Sequence, residues 1–241
     1  AKVGKVDGSV QFVPPLFVKM ATEEVLQAGL KFILIGAEKV PTKDAAMILA
    51  LARRKKAVIV GPSSVGIINP SRKIKIGAIG GSAPERVYRS GNIAVISKSG
   101  GMTSEISLQL KQNNLGISWA VGIGGERIIG SDFADWLLAL EEDRDTQATV
   151  IFGELGGLYE ERVAETMVAG KIKKPVIAFI AGEFASHLPG GVQFGHAGAL
   201  IEGGQGGPEL KRKVLSMAGV RVATNFDNIA DLVKKSLPSK M

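Results

Sequence analysis

Short, apolar, β-branched runs alternate along this chain with stretches whose apolar residues repeat at helical spacing. The runs at residues 9–13, 32–35, 57–60, 92–97, 116–121, 149–152, 175–180 and 220–222 are predicted strands. Residues 21–28, 42–52, 102–113, 132–139, 158–169, 209–218 and 228–236 are predicted helices. Regular strand–helix alternation is the pattern of βαβ units and a parallel sheet. Several runs are apolar throughout, as expected of strands covered on both faces. The expected class is therefore α/β.

The pattern breaks once. Residues 1–61 hold three predicted strands and two helices, about half of a doubly wound unit. A weakly periodic connection follows, from Gly61-Pro62-Ser63-Ser64 through Pro70 to Gly91, and a second α/β unit starts at Asn92. The expected division is 1–61 and 62–241. No solenoid-type repeat is visible.

Composition narrows the function classes. With 45% hydrophobic residues the chain can bury a core, and its 31 glycines suit many tight strand-to-helix turns. Cysteine is absent, which removes disulfides, thiolate metal sites and cysteine nucleophiles, and fits a cytoplasmic location. No apolar run is long enough to span a bilayer, and no charged-then-apolar leader is present. The first residue is Ala1, so the N-terminus is expected to lie elsewhere. The net charge of +7 comes from scattered clusters at 53–56, 171–174 and 211–213. These read as solvated faces that attract anionic substrates, with no nucleic-acid partner expected.

Chemistry concentrates around one of the two histidines, His187 and His196. His187 sits between Ser186 and Pro189 in a polar stretch and reads as structural. His196 is enclosed by Gly195, Ala197 and Gly198, with Gly190-Gly191 before it and Gly203-Gly204-Gln205-Gly206-Gly207 after it. Glycine lets a bulky group approach the ring. A phosphorylated imidazole needs that room and a means of neutralising the added charge. Ser99, Gly100 and Gly101 follow a predicted strand and open a predicted helix, so their amides can form a phosphate nest; a plain turn has the same spacing. Glu154, at a strand's C-terminal edge, can bond the other ring nitrogen or cap the next helix. The cluster Gly122-Ile123-Gly124-Gly125 is weak evidence alone. No metal-ligand spacing, GxSxG elbow or Walker A sequence occurs.

Together these pieces resemble the α-type half of the nucleoside-diphosphate-forming acyl-CoA ligases, a superfamily that includes succinyl-CoA synthetase, ATP citrate lyase and citryl-CoA synthetase. The matching segments are GPSSVGIINP (61–70), SKSGGMTSE (97–105), GIGGERIIGSDFADWL (122–137), GELGG (153–157) and GHAGALIEGGQG (195–206), in the family's order and spacing. The resemblance implies a partial Rossmann-like coenzyme-A-binding domain followed by a flavodoxin-like domain. It implies that His196 is phosphorylated, that Glu154 bonds its ring, and that Ser99, Gly100 and Gly101 hold the phosphate. Coenzyme A contacts are implied at Val13, Pro14 and Glu38. A partner subunit of ATP-grasp type would bring ATP or GTP with magnesium, making a hetero-oligomer.

Two features bear on substrate and completeness. Succinyl-CoA synthetases typically carry a Ser-Gly-Thr-Leu-Thr-Tyr-Glu helix start. Ser99-Gly100-Gly101-Met102-Thr103-Ser104-Glu105 is nearer the ATP citrate lyase form, as is Val192-Gln193-Phe194. Citrate is therefore the expected acid, with succinate the alternative. The family's glycine-rich first loop has no counterpart, and N-terminal truncation is the expected reason, with an altered coenzyme A site as the alternative. A rival of another class is a non-catalytic coenzyme-A-binding module, against which the intact His196, Glu154 and SGG turn argue.

Overall fold

The computed structural model describes residues 4–183, 196–199 and 206–238. The chain opens with β1 (Gly8–Gln11), α1 (Val18–Gln27), β2 (Phe32–Ile35), α2 (Thr42–Arg54) and β3 (Val58–Val60). The strands form a parallel sheet in the order β1-β2-β3. Alternate strand residues divide between its faces. Ile33, Ile35 and Ile59 pack under Val18, Leu26, Ala45 and Ile48 of the two helices. Leu34 and Val60 face the other way and join the core of the rest of the molecule.

The second sheet uses β4 (Gly66–Asn69), β5 (Ile74–Gly77), β6 (Ser90–Ser97), β7 (Ile117–Gly122), β8 (Ala148–Glu154), β9 (Val176–Ala181) and β10 (Arg221–Val222). Its helices are α3 (Gly100–Gln112), α4 (Phe133–Glu141), α5 (Tyr159–Val168), α6 (Pro208–Met217) and α7 (Ile229–Ser236). The strand order is β10-β9-β8-β6-β7-β4-β5. From β6 onward all pairs are parallel, and the second strand of this unit lies outside the first while the third to fifth follow on the other side. That is the flavodoxin-like order. In β6, Ile93 and Val95 meet α3 and α7 through Ile106, Leu110, Ile229 and Val233. Ala94 and Ile96 meet α4, α5 and α6 through Phe133, Leu137, Val163 and Leu215. Burial on both faces explains the unbroken apolar run.

Residues 61–91 correct an expectation. They contain the antiparallel hairpin β4–β5, and β4 pairs antiparallel with β7, so the sheet is mixed at that edge. The strands are four residues each and begin or end on glycine. Gly66 (φ 122°) and Gly77 (φ 90°) face each other across the hairpin, and a Cβ on Gly66 would fall 2.1 Å from the Ile76 carbonyl oxygen. Glycines demanded by such close approach weaken the alternation by which a strand is recognised.

Polar contacts lock the helices around the sheet. Asp132 caps α4 and exchanges bonds with Asp135, and Arg162 of α5 bridges both carboxylates. Lys211 of α6 is fully buried with Glu160 (2.5 Å) and also reaches Glu161 (2.9 Å). Among the described residues no helix is long and apolar enough to cross a membrane.

Candidate active site

In an open α/β sheet, ligands gather beyond the strands' C-terminal ends where the chain switches direction. Here that point lies between β6 and β8, whose connections run to opposite sides of the sheet. Beyond β6 the chain turns through Lys98 and Ser99 into α3. Ser97 Oγ donates to the Ser99 carbonyl oxygen (2.7 Å) and accepts from the Ser99 N–H (3.0 Å), which fixes the turn. Ser99 is the N-cap, its hydroxyl accepting from the Met102 N–H at 3.4 Å. Gly100 and Gly101 follow without side chains to screen the helix's first amides. A helix N-terminus carries unpaired N–H groups and positive dipole charge, and so favours anions.

β8 is buried along its length and ends at Glu154. The Glu154 N–H donates to Glu160 Oε1 (3.2 Å), so the α5–α6 ion cluster also anchors this strand end. Glu154 Oε2 lies 2.8 Å from His196 Nδ1, and Oε1 lies 3.3 Å from Lys98 Nζ. An ionised carboxylate only accepts, so Nδ1 carries the proton and Nε2 of the neutral ring keeps its lone pair. Desolvation by burial pushes the Glu154 carboxyl up. The bonded His196 and the nearby Lys98 outweigh it, and the net shift is downward. His196 is raised, chiefly by its hydrogen bond to Glu154, against the opposing effects of burial and Lys98.

The ring rests on Gly125, after β7. A Cβ on Gly125 would fall 2.5 Å from His196 Cγ, and the Gly198 N–H donates to the Gly125 carbonyl oxygen at 3.0 Å. The imidazole side chain remains 34% exposed, so it is anchored on one side and reachable on the other. It opens on a cleft of about 390 Å³ lined by Ser99, Gly100, Gly101, Glu38, Ser63 and Ser64, among others. A neutral imidazole opposite an anion-binding helix start can accept a phosphoryl group and hand it on.

Ser99, Gly100, Gly101, Glu38, Glu154 and His196 thus come together. Of the other two predicted coenzyme A contacts, Val13 packs on the first sheet's core and the Pro14 carbonyl starts the turn before α1, while Phe12 reaches the cleft. His187, Val192-Gln193-Phe194, Gly195 and residues 200–205 lie outside the described residues. Sequence pattern alone assigns no role to Lys98, and sets Gly125 only within a glycine cluster that is weak evidence by itself. A lysine following a strand looks like any exposed lysine, and a glycine needed for contact with a residue some seventy positions away carries no local signal.

A family model described as the succinyl-CoA ligase like flavodoxin domain matches residues 90–235. The ADP-forming sulfoacetate-CoA ligase subunit SqwL of Acholeplasma sp is 38% identical over 234 residues, covering 96% of this chain and 76% of that protein. The succinate–CoA ligase [ADP-forming] subunit alpha 2 of Archaeoglobus fulgidus is 39% identical over 231 residues, covering 96% and 77%. The structure of ATP citrate lyase from Methanothrix soehngenii, in complex with citrate and coenzyme A, superposes with a TM-score of 0.90 at 30% identity. That match covers 96% of this chain and 38% of the lyase chain. With the family model spanning well over half of its length, the chain belongs to the succinyl-CoA ligase family, as an α-type subunit of the NDP-forming acid–CoA ligases.

Proposed function

We propose that this chain is the phosphoryl carrier of an acid–CoA ligase of the succinyl-CoA synthetase type, with His196 Nε2 as the atom that is phosphorylated. The observation that carries the reading is the 2.8 Å contact from His196 Nδ1 to Glu154, which leaves Nε2 unprotonated in the neutral ring of a residue that lines the same cleft as the Ser99–Gly101 helix start.

In the first step the Nε2 lone pair attacks the terminal phosphorus of the nucleoside triphosphate, and the bond to the departing diphosphate oxygen breaks. A carboxylate oxygen of the acid then takes the phosphoryl group, the N–P bond breaks, and an acyl phosphate forms. Finally the thiol of coenzyme A attacks the acyl carbon, loses its proton, and expels phosphate. Through all three steps Glu154 holds the ring, and the α3 amides face the phosphoryl oxygens.

Both relatives are called ADP-forming, which supports ADP as the nucleotide product, and the α designation of the Archaeoglobus fulgidus relative supports an ATP-grasp β-type partner that brings ATP and magnesium. Coenzyme A is read against the cleft's first wall, where the exposed Phe12 packs over Gly36 and Glu38 lines the same cleft as His196. Val13 and Pro14 would act there as flanking contacts. The acid is best read as a short one with a second anionic group, as in succinate and sulfoacetate. A second reading, citrate, is favoured by the Gly101-Met102 helix start and by the ATP citrate lyase likeness.

Incubating the assembled ligase with γ-labelled ATP is expected to give acid-labile, alkali-stable label on this chain. His196→Ala is expected to abolish it; label surviving that change defeats the reading. Thioester formation from succinate, sulfoacetate and citrate then ranks the acids.

A further inference from the structure

Lys98 and Lys211 are the two buried lysines among the described residues, and Lys98 is the one beside the candidate site. Its side chain is 1% exposed, and its ammonium lies 3.3 Å from Glu154 Oε1. That oxygen has no aligned hydrogen bond among the described residues, so Lys98 is its counterion. The Tyr159 ring of α5 lies 5.8 Å from Nζ, and among the described residues Glu154 is the one acceptor that meets the ammonium. The Lys98 backbone N–H donates to the Phe152 carbonyl oxygen (3.2 Å), pinning the residue to β8. The next residue is Ser99, the N-cap facing the cleft. One position therefore ties the anion-binding turn to the carboxylate that holds the histidine.

We propose that Lys98 is a positioning residue for phosphoryl transfer, whose buried ammonium keeps Glu154 ionised and turned so that one oxygen is left for His196 Nδ1. The inference rests on His196 being the phosphoryl carrier. A carboxylate buried beside an imidazole has two failure modes: it can rotate away, or its unopposed charge can hold the ring as imidazolium, with Nε2 protonated and unreactive. The Lys98 charge acts against both. The groups bearing on the ring are Glu154 from β8, Lys98 from the turn before α3 and Glu38 after β2. Glu126 and Arg127 after β7 share a cavity with Lys98, Tyr159, Ala197 and Gly198. Of the charges acting on the ring, Lys98 is the one that opposes its protonation while also touching Glu154.

The test is the pH dependence of single-turnover His196 labelling by ATP in the assembled ligase, for wild type, Lys98→Gln and Lys98→Arg. Wild-type labelling should rise with pH to a plateau. In Lys98→Gln the midpoint should move up by on the order of one pH unit, making labelling about tenfold slower below the wild-type midpoint. Lys98→Arg should stay within about twofold of wild type at every pH. An unmoved midpoint overturns the proposal, as does uniform slowing at every pH, which would mean that the charge acts on the phosphate directly. Loss of the cooperative thermal transition in Lys98→Gln but not Lys98→Arg overturns it in favour of a structural role. Wild-type enzyme that takes no label defeats the carrier reading instead. The His196 titration followed by nitrogen-15 NMR then decides the Lys98 inference by whether Lys98→Gln raises its midpoint.

Discussion

His196 meets two demands of opposite sign. Glu154 fixes the tautomer that exposes Nε2, yet the same carboxylate raises the ring's pKa and favours the imidazolium. Only the neutral ring is a nucleophile, so labelling should climb as pH rises through the raised pKa, with a midpoint above the ordinary histidine value. Glu154→Gln removes the charge: the midpoint should fall, and the plateau rate should drop about 10–100-fold because the ring is no longer oriented. Rapid-quench labelling across pH checks both. Gly125→Ala should displace the imidazole, since its Cβ would overlap the ring. Loss of labelling with a nearly unchanged melting temperature is the expected outcome. His196 was legible in the sequence because glycines flank it, and Glu154 and the Ser99–Gly101 turn because each lies at the end of a strand beside glycines. Lys98 was not, because its role depends on a carboxylate some fifty positions away.

At the scale of elements, α3 is capped by Ser99, and α5 and α6 are joined by the Lys211 ion cluster. Ser99→Ala removes the α3 cap and should cost about 0.5–1 kcal/mol, at the low end for a cap because the bond is long at 3.4 Å. Denaturant midpoints measure it. Lys211→Met leaves Glu160 and Glu161 without their shared cation, and Glu160 is fully buried. A loss of about 3–5 kcal/mol is expected, in line with breaking a buried pair from one side. Because Glu160 Oε1 also holds the Glu154 N–H, labelling should fall in the same variant. The strand–helix alternation predicted most elements close to their observed bounds. The β4–β5 hairpin escaped because its strands are short, carry glycine at the close approach, and have no helix between them to mark the period.

The whole molecule is two sheets sharing one apolar layer. Leu34 and Val60 from the first sheet cluster with Ile67, Val121 and Phe133 from the second unit. Calorimetry should therefore show a single transition, and Leu34→Ala should lower stability by about 2–5 kcal/mol without splitting it. This packing also makes the cleft, since Phe12 and Glu38 from the first unit face Ser99 and His196 from the second. The α/β class, the alternation and the glycine-framed histidine follow from residue type and local period alone, because burial on two faces and backbone sterics act over a few residues. The partnering of Lys98 with Glu154, the glycine under the imidazole and the antiparallel edge were decided only in three dimensions. Each depends on atoms brought together by chain crossovers, and a linear pattern holds no record of those distances.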